Sequence, residues 1–347
     1  MSTTLNLSME TSTLEHILLL GFLGFALSII ITPLYTYLAY KRQWWKKPRT
    51  TDVSGRRAVM LQKLHAAKHE RHIPTMAGLI ILIGVGVVTF SLNLSREQTW
   101  LPLAAMVGAG LVGLLDDIIN LKSNGRGIAG LRSKIKMLLI SGVALVGGWW
   151  FFAKNGIDSF YLPGVGSIDI GWLIIPLFVI VVVATANAVN ISDGLDGLAG
   201  GLTATAFATY ALIAMLQQRY GVAAFCFTIV GALLAYVWFN IYPARFFMGD
   251  IGSFALGTAL GVVAMITDTL ILLPVIGFVF VLDTGSVIIQ NISKKFRNGK
   301  KIFLISPIHH HFEALGWPET KVTMRFWVIG QVCAVLGLLL AILGGFV

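Results

Sequence analysis

The sequence predicts an all-α polytopic membrane protein of about ten transmembrane helices, with both termini on the extracytoplasmic side and its polar site on the cytoplasmic face. Three observations lead there. Of 347 residues 56% are hydrophobic and 12% charged, with a mean hydropathy of +0.81, which excludes an ordinary soluble domain. Long apolar runs follow one another with few gaps, each near the roughly 20 residues that a helix needs to cross a bilayer. Lysine and arginine collect on alternate connections.

The runs lie at about 15–40, 74–93, 98–115, 136–153, 170–190, 197–216, 220–241, 251–267, 269–292 and 324–346. Continuous apolar stretches favour helices over barrel strands, which would alternate polar and apolar residues. Residues 1–14 read as a polar extension, and no small-residue cleavage site follows the first run, so it is read as a retained helix. Chain 1–347 reads as a single transmembrane domain, with main cytoplasmic loops at 41–73, 116–135 and 293–323. Cys226 and Cys333 fall inside runs and read as packing residues, neither a disulfide framework nor a thiolate metal site.

A formal charge of +10 raises the possibility of a nucleic-acid partner, but the distribution argues against one. If the runs alternate in direction, all 26 lysines and arginines except Arg96, Lys154 and Arg219 belong to one side. The positive-inside rule makes that side cytoplasmic.

Polar groups near membrane depth are costly, so their default reading is functional when they face a cavity or an interface. Four clusters qualify, all at the cytoplasmic side. Asp116-Asp117 closes the third run; adjacent carboxylates repel, and a cation or proton would offset the repulsion. A solvated pair of helix-end acids is the alternative. Asn187, Asn190, Asp193 and Asp196 recur every third residue, which on a continuing helix groups them on one drifting face. The glycines that follow, Gly194, Gly197, Gly200 and Gly201, would break or tightly pack the next helix start and leave backbone N–H groups for an anion. Polar glue between helices is the competing account.

In Asn240-Ile-Tyr-Pro-Ala-Arg-Phe-Phe-Met-Gly-Asp250, Pro243 ends one helix and Asp250 precedes the next. A carboxylate there suits a hard cation such as Mg²⁺, which shares its remaining positions with water and phosphate; an N-cap is the alternative. Phe246 and Phe247 offer faces for a nucleobase. The run His309-His310-His311, followed by Glu313, lacks the i, i+4 spacing of a helical zinc site, and points to phosphate contact or proton handling. Lys134, Lys136 and His311 complete the substrate-binding candidates. Asp283 and Gln290, seven residues apart in the ninth run, lie near one face, and Asp283 is read equally as a structural pairing residue.

Together, Asp116-Asp117, NAVNISDGLDGLAGG, FMGDIGSFALG and PIHHHFEALGWPETKVTMRFWVIG resemble the bacterial phospho-N-acetylmuramoyl-pentapeptide transferases, from about residue 30 to the C-terminus. The aspartate motifs are shared with the wider polyprenyl-phosphate N-acetylhexosamine-1-phosphate transferases, whereas the histidine stretch resembles the muramoyl-pentapeptide branch. The resemblance implies transfer of phospho-MurNAc-pentapeptide from UDP-MurNAc-pentapeptide to undecaprenyl phosphate, giving lipid I and UMP, by a homodimer in the bacterial cytoplasmic membrane that uses Mg²⁺. It implies Asp250 as the Mg²⁺ ligand, and Asp116, Asp117, Asp250, His309 and His310 as catalytic residues. Asp193 falls in the same polar site, and Gly194, Leu195, Asp196, Asn240, Phe247 and Gln290 in a uridine pocket. One departure is visible: Glu70 stands where the family has a lysine four residues before the proline, with Lys68 and Arg71 as neighbouring cations.

The expected mechanism has Mg²⁺ on Asp250 and either Asp116 or Asp117 orienting or deprotonating the lipid phosphate, with a covalent aspartyl-phosphate route in competition. A sister enzyme using UDP-GlcNAc is the nearer rival function. A transporter is the more distant one, because its polar groups would sit at the midplane of repeated, broken helices.

Overall fold

The computed structural model of the chain describes residues 2–45, 71–123 and 130–347. Among the described residues, eight helices are long and apolar enough to cross a membrane. They are α1 (Ser2–Lys41), α3 (Trp100–Lys122), α4 (Ser133–Ala153), α5 (Ile174–Ser192), α6 (Leu198–Leu216), α7 (Tyr220–Asn240), α8 (Gly249–Ile266) and α11 (Glu319–Leu343). The 15-residue α2 (Gly78–Leu92) is shorter. A broken pair, the short turn Leu270–Ile276 and α9 (Phe278–Phe296), meets at 83°. These elements occupy the ten predicted runs, and α1 begins inside the stretch read as a polar extension. Helices satisfy their own backbone polar groups, as a lipid environment requires.

Three local features depart from expectation. The run 269–292 is broken, because Pro274 lacks the N–H that a continuous helix needs and Gly277 follows it. Between α4 and α5, Ser159–Leu162 and Gly166–Asp169 form an antiparallel hairpin. Its turn passes through Gly164 and Gly166 at positive φ, a conformation that glycine adopts without penalty. The three histidines ride a short helix, α10 (Ile308–Ala314), in what reads from sequence as a loop.

Successive passes alternate in direction. At the end remote from the site, Asn93 donates to the Gly221 carbonyl (2.9 Å) and the Gln98 amide oxygen accepts from the Gly221 N–H (2.8 Å). Gln217 reaches the carbonyls of Thr267 and Phe346, both at 2.8 Å. The hairpin docks there through the Tyr161 N–H on the Asp268 carboxylate at 2.9 Å. Burial pushes the Asp268 carboxyl above its ordinary pKa, against the opposing pull of Tyr161 N–H and Arg219.

The centre of the bundle is α8, buried along its whole length except at Asp250. Lipid tails are as apolar as leucine, so association rests on close packing, and small residues allow it. Gly252 of α8 meets Gly78 of α2 with no room for a side chain on either, and Gly113 of α3 lies directly on the Asp250 backbone. Those two approaches set the position of the N-terminal turn of α8. A third approach, Gly231 of α7 on the Gly21 carbonyl of α1, fixes α1 to the bundle.

Replacing Gly231 by Val forces two backbones apart and is expected to destabilise the protein by about 1–3 kcal/mol. Thermal unfolding of the purified protein in detergent reads this as a Tm several degrees lower. An unchanged Tm would refute the α1–α7 contact.

Candidate active site

Six residues before its end, α3 presents Asp116 and Asp117. The helix runs on to Lys122 where the sequence reading ended the span at 115, because Ile118 and Ile119 turn outward, exposed, while the carboxylates face inward. Neighbours on a helix point about 100° apart, so the pair separates to different partners. Asp116 Oδ1 accepts from the Leu131 N–H at 2.5 Å, and its Oδ2 lies 3.2 Å from Lys136 Nζ. Gly130, at φ 86°, leaves space for the chain to pass beside that carboxylate. Lys136 also reaches Asp250 Oδ2 at 3.0 Å. Asp117 turns instead to the start of α8, where its Oδ2 accepts from the Ile251 N–H at 3.1 Å. A helix N-terminus favours such a negative charge. Gly249, at φ 76°, sits against Asp117 where a side chain would collide with it.

The charge balance here is chemically informative. Asp116 is 2% exposed and Asp117 fully buried, yet one ammonium serves both Asp116 and Asp250. Lys136 therefore offsets the repulsion between those two carboxylates, and a cation bound between them would offset it further. Among the described residues no group of three His, Cys, Asp or Glu side chains is arranged to hold a metal. That disfavours zinc, whereas one or two converging carboxylates fit the protein share of a Mg²⁺ site completed by water and phosphate.

The asparagine and aspartate stripe does not stay on one helical face. Because α5 stops at Ser192, Asp193 caps it and Asp196 falls in the turn before α6. Asn187 donates to the Val183 carbonyl of its own helix (2.7 Å), and Asn190 reaches across to Ser253 of α8 (2.8 Å). Asp196 is buried, accepting from the Ala244 N–H at 3.0 Å while its own N–H donates to Glu319 at 2.6 Å. Asn240 accepts from the Gly197 N–H (3.0 Å) and donates to the Phe246 carbonyl (2.9 Å). These two residues staple the 193–197 turn to the 241–248 loop. That loop is held in turn by Phe247, whose N–H donates to the Pro74 carbonyl at 2.8 Å. The Phe246 ring is buried against Tyr35, Tyr236 and Phe239, which removes it as a face for a base, whereas the Phe247 ring is half-buried.

The histidines on α10 are individually supported. His309 and Asp283 are both fully buried, with Nδ1 to Oδ1 at 3.0 Å. His310 Nδ1 lies 2.7 Å from Glu313 Oε2, one helical turn on. A side chain at Gly194 would strike His309 Nε2 and meet His310 Nε2 at 3.1 Å, so both Nε2 atoms face the Gly194 turn. His311, half-buried, accepts from the Leu304 N–H at 3.2 Å. The Gln290 oxygen accepts from Ile302 and Phe303 N–H groups and its nitrogen donates to the Phe303 carbonyl, which fastens the loop ahead of α10. Lys134 and Arg71 are exposed; Lys68 and Glu70 lie outside the described residues.

Asp250, Ser253, Asn190, Gly194 and His309 thus follow one another along a continuous wall at one end of the bundle. Sequence reasoning missed Ser253, Glu319 and the pairing role of Glu313. Only the three-residue spacing from His310 to Glu313 left a signal.

Residues 99–268 match the family model described as Glycosyl transferase family 4. The chain is 38% identical to the phospho-N-acetylmuramoyl-pentapeptide-transferase of Geobacillus sp. (strain WCH70), over 94% of this chain and 98% of that protein. To the protein of the same name from Halalkalibacterium halodurans it is 38% identical, over 95% and 99%. For that of Chloroflexus aggregans the identity is 36%, over 94% and 90%.

Lys136→Met removes the shared ammonium and leaves two carboxylates facing each other. The Tm should fall by several degrees, and millimolar Mg²⁺ should recover part of the loss. Equal Tm values with and without Lys136 would contradict the charge balance.

Proposed function

The chain belongs to the phospho-N-acetylmuramoyl-pentapeptide-transferase family, and we infer from that premise that it makes lipid I in peptidoglycan synthesis. It moves phospho-MurNAc-pentapeptide from UDP-MurNAc-pentapeptide to undecaprenyl phosphate and releases UMP. The observation that carries the reading is the gathering of Asp116, Asp117, Lys136, Asp250 and the paired histidines at one end of the bundle. A transporter would hold such groups at the midplane. We place the protein in the bacterial cytoplasmic membrane as a homodimer, its site on the basic, cytoplasmic face where a soluble nucleotide sugar is available.

Phosphoryl transfer asks the protein for alignment and charge neutralisation more than for covalent help. Asp250, with Asp116 beside it, would hold Mg²⁺, which neutralises diphosphate charge when bound. Lys136 adds a donor next to those carboxylates and so meets the same phosphates. Of the two adjacent aspartates, Asp116 is better placed to take up the lipid phosphate's proton, since it lies beside Asp250 across Lys136 whereas Asp117 is turned to the Ile251 N–H. Asp117 holds the start of α8 and thereby positions Asp250. A lipid phosphate oxygen attacks the β-phosphorus, a new P–O bond forms, and the bond to the UMP oxygen breaks. Asn240 and Gln290 act by holding the loops around the nucleotide, leaving the Phe247 ring and the Gly194–Asp196 turn to shape its pocket.

The acceptor's chain has a suitable path. A groove of about 360 Å³ lies between α5, α8, the Leu270–Ile276 turn and α9, lined by side chains such as Ile180, Val189, Leu273 and Phe280. Its apolar walls suit a polyprenyl tail.

Purified protein given radiolabelled UDP-MurNAc-pentapeptide and undecaprenyl phosphate should form lipid-linked product, whereas UDP-GlcNAc should not. Preference for UDP-GlcNAc would overturn the assignment. Asp250→Asn should cut turnover at least about 10³-fold with the fold retained, and undiminished activity would remove Asp250 from the metal site. Inversion at a chiral β-phosphorus supports direct attack, whereas retention, or a trapped phospho-aspartate, would establish the covalent route.

A further inference from the structure

Asp283 sits inside α9 with no exposed surface, and the single hydrogen bond of its side chain among the described residues is to His309 Nδ1 at 3.0 Å. A carboxylate in that environment is held only by a donor, so the imidazole proton belongs on Nδ1. The opposite nitrogen, Nε2, is buried without a hydrogen-bond partner among the described residues. It points at the one place in the 193–197 turn where there is no side chain, Gly194. An unpartnered buried nitrogen aimed across a glycine is costly unless something bound there uses it.

We propose that Asp283 is a positioning residue for the transfer reaction. It locks His309 as the Nδ1–H tautomer, so that Nε2 serves as an acceptor for a hydroxyl or protonated phosphate oxygen of the bound substrates. The inference rests on the lipid I reading for the identity of those substrates, but the tautomer does not. His310 is supported in the same way by Glu313 at 2.7 Å, and the two rings meet edge to face with centroids 4.3 Å apart. Each imidazole therefore has its own carboxylate. The Asp283 arm ties α10 to α9, other side chains of which line the apolar groove.

The test uses full-length protein in nanodiscs, labelled with ¹⁵N-histidine, with His309 signals assigned by their loss in His309→Gln. Unliganded wild-type protein should show the Nδ1–H tautomer. In Asp283→Asn the amide N–H can donate to Nδ1, which moves the proton to Nε2 and turns the acceptor into a donor. kcat should then fall about 10²- to 10⁴-fold, while KM for UDP-MurNAc-pentapeptide stays within about threefold. Asp283→Glu should restore the Nδ1–H tautomer and bring kcat back to within about tenfold of wild type. The proposal is overturned if wild-type His309 carries its proton on Nε2, or if folded Asp283→Asn keeps its kcat. It is likewise overturned if folded Asp283→Glu is as inactive as the Asn variant. Wild-type protein that shows the expected tautomer but transfers nothing from UDP-MurNAc-pentapeptide would count against the lipid I reading and leave the tautomer assignment standing.

Discussion

The structure depends on placing three carboxylates together at one end of a membrane bundle. Asp116, Asp117 and Asp250 come together with an ammonium, Lys136, between two of them and the N-terminal turn of α8 beside the third. Carboxylates so close repel one another. Here the cation and the helix amide offset that repulsion. The close backbone contacts at Gly113, Gly249 and Gly252 serve this arrangement, since any side chain there would drive α2, α3 and α8 apart. Fold and site are therefore coupled through α8, whose only residue that is not buried is Asp250.

Around that centre, polar side chains divide into those that build and those that remain available. Asn240, Asp196 and Gln290 commit their hydrogen-bonding atoms largely to loop backbone and fix the shape of the wall. His309 is held at Nδ1 and turns Nε2 toward Gly194. Such division is economical in a membrane bundle, where an unsatisfied loop amide costs as much as a misplaced catalytic group. It also separates the molecule from a transporter, since its polar network closes one end of the bundle and the ladder at the far end is a set of structural clasps.

Much of the fold was legible in the sequence because crossing a bilayer imposes length and composition on every helix. Nine runs became continuous helices close to where hydropathy put them. The remaining one, the ninth in chain order, broke at Pro274 and Gly277, residues whose effect on a helix is local but whose 83° outcome depends on packing. The hairpin at 159–169 was missed because four-residue strands carry too little periodicity to register. The Asp116–Asp117 pair was found as a charge anomaly, while its position inside α3 was not, since hydropathy ends a span where charge begins and hydrogen bonding does not.

What the sequence by itself determined is the chemical inventory: a helical membrane bundle, a basic side, and carboxylates, amides and histidines collected on the connections of that side. Tertiary structure decided how those groups pair. Spacing suggested that Asn187 through Asp196 share a face, yet the end of α5 at Ser192 and the glycine turn sent them to Val183, Ser253, Ala244 and Glu319. Asp283 could be read from sequence either as structural or as functional, and its contact with His309 spans 26 residues and two helices. The physical reason is general: a side chain's residue type follows from local sequence, whereas its hydrogen-bond partner depends on which distant backbone comes within 3 Å, and in this bundle close packing at a few glycines sets that distance.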